Sequence, residues 1–193
     1  MLIGLVGLIG SGKDTVAERL VLEHGFKRDS FAKSLKDAVA NIFGWDRLLL
    51  EGQTAESRMW RERPDAFWSE KFGRPITPRW VLQHFGTEVM RGNMLDSIWV
   101  DSLIARYRGE KTVISDTRFI NEIRTIRRQG GKIILVKRED IPTREEMQAN
   151  GVHQSEWDWI GSDFDYTIDN TGTLEDLYSA ISAMLTHLLQ DHR

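Results

Sequence analysis

A chain of 193 residues with 40% hydrophobic and 28% charged side chains is long enough to bury a proper core and points to one soluble globular domain. It has no cysteine, which excludes disulfides and thiolate metal sites, and Met, His and Asp show no zinc-like spacing either. The net charge of −3 is unevenly spread, with 21 Lys and Arg against 17 Asp and Glu over residues 1–129 and 5 against 12 beyond. The basic part is mostly Arg, including Arg58, Arg61, Arg63, Arg74, Arg79, Arg91, Arg106, Arg108 and Arg118. Arg favours planar, bidentate recognition of phosphate, so a small anionic substrate fits better than nucleic acid, although many of these residues belong to ordinary solvated faces.

Leu2-Ile3-Gly4-Leu5-Val6 reads as a buried strand. It is too short to span a bilayer and lacks a basic leader, so no signal peptide or anchor is expected and the chain is expected in the cytosol. The strand runs straight into Gly7-Leu8-Ile9-Gly10-Ser11-Gly12-Lys13-Asp14-Thr15, the spacing of a phosphate-binding loop. Backbone N–H groups between Gly7 and Gly12 can converge on phosphate oxygens, and Lys13 can place its ammonium between β- and γ-phosphates. Asp14 to His24 follows as a helix with Val16, Ala17, Leu20 and Val21 on one stripe, which sets the phosphates at a helix N-terminus. Asp14 stands where such loops usually carry a magnesium-touching hydroxyl, and Thr15 supplies one only a residue later, so direct metal ligation by the loop is not expected.

A second helix is predicted over Ser34–Phe43, and residues 45–77 read as irregular, polar and rich in Arg and Trp. Pro78 opens a helix broken near Gly86, and another covers Leu95 to Tyr107. Lys111–Ser115 is a buried strand, Phe119–Gln129 a helix, Lys132–Val136 a strand, and 139–163 an inserted arm. Tyr166–Ile168 is a short strand, and Thr173 with Asp176 caps a last helix reaching about Leu189. Strands alternating with helices predict an α/β fold, a parallel central sheet with helices on both faces and ligands at the carboxyl ends of the strands.

That rule singles out Asp116-Thr117-Arg118, directly after the strand at Thr112–Ser115. Asp116 can hold a magnesium hydration shell through water or a substrate hydroxyl, and Arg118 can reach a phosphate. The other use of Asp116 is to cap the helix near Phe119, but Arg118 and Glu122 favour function because a cap needs neither. The seven Trp read more readily as core or interface than as base-stacking platforms.

Taken in order, Gly12-Lys13-Asp14-Thr15, Phe31-Ala32, Leu35-Lys36-Asp37, Pro78-Arg79 with Leu82-Gln83, Gly86-Thr87-Glu88, Trp99, Asp116-Thr117-Arg118 with Glu122, and His153 with Ser155-Glu156 resemble the bacteriophage-type deoxynucleoside monophosphate kinases, within the P-loop nucleoside monophosphate kinase fold. The resemblance covers nearly the whole chain and accounts for Asp14. It implies a three-layer core of about 1–44 and 111–193, a helical substrate-binding insertion at about 45–110 and a lid at about 137–155. It implies ATP and Mg2+, with Gly10, Ser11, Gly12, Lys13, Asp14 and Thr15 on the ATP phosphates, Arg138 or Arg144 in the lid, and Asn170 and Gly172 lining the adenine site. It places Lys36, Arg79, Gln83, Gly86, Thr87, Trp99, Asp116, Arg118 and Glu122 around the monophosphate, with Lys13, Arg79, Asp116 and Arg118 as the catalytic set. It suggests a homodimer whose partners are ATP and a deoxynucleoside monophosphate, with no nucleic acid or membrane. A dephospho-coenzyme A kinase-like enzyme and an ATP-driven switch are the alternatives, the latter disfavoured by the short chain and its negative charge.

Overall fold

Three apolar runs form the centre of a five-stranded parallel sheet in the computed structural model, which describes residues 1–190. They are β1 (Leu2–Val6), β3 (Thr112–Ile114) and β4 (Lys132–Lys137), and the full order is β2-β3-β1-β4-β5. Ile3 of β1 sits in register with Val113 on one side and Lys132 on the other. Central parallel strands are covered on both faces, which is why these three read as nearly unbroken runs of buried side chains.

The sheet edges are β2 (Lys27–Asp29) and β5 (Tyr166–Asp169). The sequence does not predict β2, because Lys27-Arg28-Asp29 carries no apolar signal; an edge strand needs none when its pairing to β3 is made by the backbone.

Contact clustering divides the chain into two compact units. The first holds residues 1–30 and 106–190 of those described, and so contains the whole sheet. Side chains alternate across β1: Ile3 and Leu5 join Val16, Ala17 and Leu20 of α1 (Lys13–His24) and Leu177, Ile181, Met184 and Leu188 of α9 (Leu174–Gln190) in one core cluster. On the opposite face Gly4 is close to Ile126 of α7 (Ile120–Arg128), where a β-carbon would crowd it, so the three-layer arrangement is complete within this unit. Thr173 and Asp176 make the expected capping box at the start of α9.

The second unit, Phe31–Ala105, is helical. It begins with α2 (Lys33–Phe43). Residues 45–77, read from sequence as irregular, contain α3 (Ala55–Glu62) and α4 (Ala66–Phe72). Each is only two turns long and is announced by its cap: Thr54 accepts from Ser57 N, and Asp65 accepts from Trp68 N. Their apolar faces are aromatic. Trp45, Leu50, Ile76, Val81 and Val39 form the core, with Trp60, Trp68 and Trp80 packed against it, and the indole N–H groups of Trp45 and Trp68 reach Asp65 Oδ2 and the Phe43 carbonyl, both at 2.9 Å. These Trp are structural, as the commoner reading has it.

Thr77 and Pro78 open α5 (Pro78–Gln83), but the chain does not break at Gly86. It continues through His84–Gly92 as a π-helix, and α6 (Ile98–Arg106) follows. Wider π turns loosen the main-chain ladder, and the Gly86 carbonyl accepts the Trp99 indole N–H at 3.0 Å. Among the described residues, no helix is long and apolar enough to cross a membrane.

Candidate active site

The carboxyl end of β1 delivers the Gly7–Gly12 loop, which enters α1 at Lys13. The Lys13 ammonium bends back over this loop and donates to the carbonyls of Gly7 at 2.8 Å and Leu8 at 2.7 Å. Burial lowers its pKa most and the charge of Arg118 lowers it further; Asp14 and Glu156 pull the other way, and the result is about 8. A cation held at this cost beside converging N–H groups at the start of a twelve-residue helix forms a site for an anion.

Two residues brace the loop. Asn170, at the end of β5 and 4% exposed, donates Nδ2 to the Ser11 carbonyl at 2.9 Å and lies so close to Gly12 that no side chain would fit there. Its amide is therefore engaged with loop backbone, where the resemblance places it at adenine. Arg28, which the sequence analysis did not single out, pairs with Asp14 and donates Nε and Nη2 to Ser115 Oγ at 3.1 and 2.9 Å. It links the first turn of α1 to the end of β3. No sequence signal marks it, because its role depends on the unrecognised strand β2. Arg106 similarly donates Nε and Nη2 to Asp29 at 2.8 and 2.9 Å.

Past the end of β3, Glu122 meets the main chain. It is 5% exposed, and its Oε2 accepts the main-chain N–H of Arg118 at 2.7 Å and of Phe119 at 3.0 Å. Glu122 thus closes the first turn of α7, so its presence does not by itself favour a functional role for Asp116. Asp116 is half-buried, and the Arg118 guanidinium pairs through Nη1 with Glu156.

The arm after β4 carries α8 (Arg144–Ala149) and a short 3-10 turn, Gln154–Glu156. Arg144 donates Nε to the Ile160 carbonyl at 2.6 Å and Nη2 to that of Asp158 at 2.5 Å, so it fastens the arm to itself. Of the two Arg considered for the lid, Arg138 is the exposed one, with Nε 3.3 Å from the Asn170 carbonyl. It borders a cavity of about 100 Å3 that is also lined by Leu8, Ile9, Gly10 and Ser11 of the loop.

In the second unit, Arg79, Gln83 and Thr87 recur every four residues along α5 and its π continuation. Arg79 pairs with Glu62 at 3.1 Å; Gln83 is exposed and Thr87 half-buried. Lys36 lies at 2.6 Å from Glu51, which also holds Arg47, itself paired with Asp37. Burial alone would raise Glu51, but hydrogen bonds from Lys36 and Arg47 outweigh it and keep it below the ordinary carboxylate range.

A parallel sheet in the order 2-3-1-4-5, with a glycine loop at the end of its central strand and Lys13 opening the helix that follows, defines a P-loop nucleotide-binding protein. The fold is similar to that of shikimate kinase from Aquifex aeolicus, at a TM-score of 0.52 and 15% identity over 100% of this chain and 98% of that one. A dephospho-CoA kinase from Campylobacter jejuni is also similar over 100% and 98% of the two chains, at 16% identity and a TM-score of 0.45. Residues 51–181 match the deoxynucleotide monophosphate kinase family. The chain is 33% identical, over 98% of its own length and 98% of the other's, to a protein of Acanthamoeba polyphaga mimivirus provisionally named deoxynucleotide monophosphate kinase. The chain belongs to the deoxynucleotide monophosphate kinase family, ATP-dependent phosphotransferases.

Proposed function

We propose that the first unit binds ATP by its phosphates and that the terminal phosphoryl group passes to the phosphate of a deoxynucleoside monophosphate, giving the diphosphate and ADP. The observation that carries this reading is Lys13 held over the loop at the N-terminus of α1. The acceptor oxygen is already anionic at neutral pH, so no general base is needed and the protein's task is alignment and charge neutralisation. Gly10, Ser11, Gly12, Asp14 and Thr15 shape the donor site around Lys13. Arg118 neutralises the acceptor phosphate; for Lys36, Arg79, Gln83, Gly86, Thr87 and Trp99 an acceptor role is what the family resemblance implies.

Among the described residues no group of three or more His, Asp or Glu could enclose a cation. A magnesium ion arriving on the triphosphate would find Asp116, which follows β3, for its water shell, and when bound it would offset charge on the transferring group. The family resemblance suggests a homodimer.

The test is ADP release measured with ATP against a panel of ribo- and deoxyribonucleoside monophosphates and dephospho-coenzyme A. Release that depends on a deoxynucleoside monophosphate is expected. Equal hydrolysis without acceptor, or a response to dephospho-coenzyme A alone, would overturn the reading. Arg118→Ala is expected to raise the monophosphate KM by about one to two orders of magnitude, the effect of losing one charge-assisted phosphate contact, and the ATP KM much less. An unchanged monophosphate KM would remove Arg118 from the acceptor site.

A further inference from the structure

The arm between β4 and β5 is fastened to itself and, through Asp158, to the first turn of α7. Trp159 is 1% exposed and donates its indole N–H to the Glu156 carbonyl at 3.0 Å. Asp158 Oδ2 accepts the N–H of Ile120, the first residue of α7, at 3.0 Å, and Arg144 holds the carbonyls of Asp158 and Ile160. Main chain fixed in this way presents the Glu156 carboxylate from a rigid platform. Of the two partners in the ion pair, Glu156 is the more enclosed, with 19% of its side chain exposed against 41% for Arg118.

Arg118 is therefore held twice, its main-chain N–H by Glu122 and its guanidinium by Glu156. An exposed Arg samples many rotamers, and fixing it beforehand reduces the freedom lost when it meets a ligand. The pair with Glu156 is made through Nη1, and a guanidinium has five N–H donors, so a phosphate can be met without breaking it. Arg118 also acts on Lys13, a second cation facing the same reaction, and Glu156 supplies charge of the opposite sign to both.

We infer that Glu156 is a positioning residue for the acceptor side of the reaction: it holds the Arg118 guanidinium for the monophosphate's phosphate. This rests on the role of Arg118 proposed above. It gives the Gln154–Glu156 turn a different task from the lid over ATP that the resemblance implies for 137–155.

The experiment is a double-mutant cycle of Arg118→Gln and Glu156→Gln on the full chain, with KM for ATP and for the preferred monophosphate, kcat and Tm. Glu156→Gln is expected to raise the monophosphate KM about tenfold, with the ATP KM and Tm nearly unchanged; added to Arg118→Gln, it should change the monophosphate KM less than about twofold, since nothing remains to be positioned. Additive effects, or an unchanged monophosphate KM in Glu156→Gln, overturn the inference while leaving Arg118 in place. If Arg118→Gln itself leaves that KM unchanged, it is the proposed role of Arg118 that fails. Should Glu156→Gln not fold, Glu156→Asp keeps the charge, withdraws it by one methylene and is expected to give the same KM pattern, with additivity again the overturning result.

Discussion

Replacing Lys13 by Met is expected to lower kcat by about two to three orders of magnitude, the size of effect seen when one pre-oriented donor to a developing charge is removed. The same substitution should flatten the pH dependence of stability in the protein without nucleotide. Lys13 has its pKa lowered from 10.5 to about 8 by burial and by Arg118. Between those values the unfolded chain binds more protons than the folded one, so stability rises with pH across that window. Below about pH 8 the charged ammonium imposes its full penalty on the folded state, at most about 3 kcal/mol for a shift of this size and less after solvent screening. Met keeps the methylenes and has no such titration. Thermal unfolding of both proteins from pH 7 to 10.5, together with turnover at pH 7.5, checks both parts. Near-normal turnover in Lys13→Met would place Lys13 outside the reaction, and parallel stability curves would contradict its burial as an ammonium.

Gly7→Ala is the second large effect, and it acts through the fold. Gly7 has φ 147°, and a β-carbon there would overlap the Val136 carbonyl oxygen of β4 and lie 2.8 Å from Ser11 Oγ. Backbone of a central strand cannot step aside as a flexible side chain can. The substitution is expected to destabilise the protein by about 3 kcal/mol or more, roughly 6–12 °C in Tm, and to weaken ATP binding because the loop must shift. Gly10→Ala is the control: Gly10 also has positive φ, 81°, but nothing lies within 4 Å of its would-be β-carbon. It should lose only the left-handed backbone preference, about 1 kcal/mol. Equal melting temperatures for the two variants would show that the approach of β4 to Gly7 is not what requires glycine.

The elements legible in the sequence are those whose signal is local. β1, β3 and β4 are apolar because both their faces are covered, and the glycine loop must follow β1 directly for its N–H groups to meet at the start of α1. The two helices inside 45–77 escape because each is too short to show periodicity, although Thr54 and Asp65 mark where they start. β2 escapes because an edge strand can be made of Lys, Arg and Asp.

The site divides along the same line. Lys13 follows from its place in the loop, and Asp116 and Arg118 from following a buried strand. Glu122 lies only four residues from Arg118, yet a carboxylate at that spacing serves equally as a ligand or as a cap, and the cap shows only in the two N–H bonds.

By itself, then, the sequence determined that a phosphate-binding loop leads into a helix, that the sheet is parallel, and that the chain resembles one kinase family. Those properties are written in neighbouring residues, where backbone geometry links spacing to structure. Only the tertiary structure decided that Arg28 ties Asp14 to Ser115, that Asn170 braces the loop, and that Glu156 holds Arg118. These partners lie 14 to 159 residues apart. No local pattern encodes an ion pair across such distances, because the fold alone brings the two charges together.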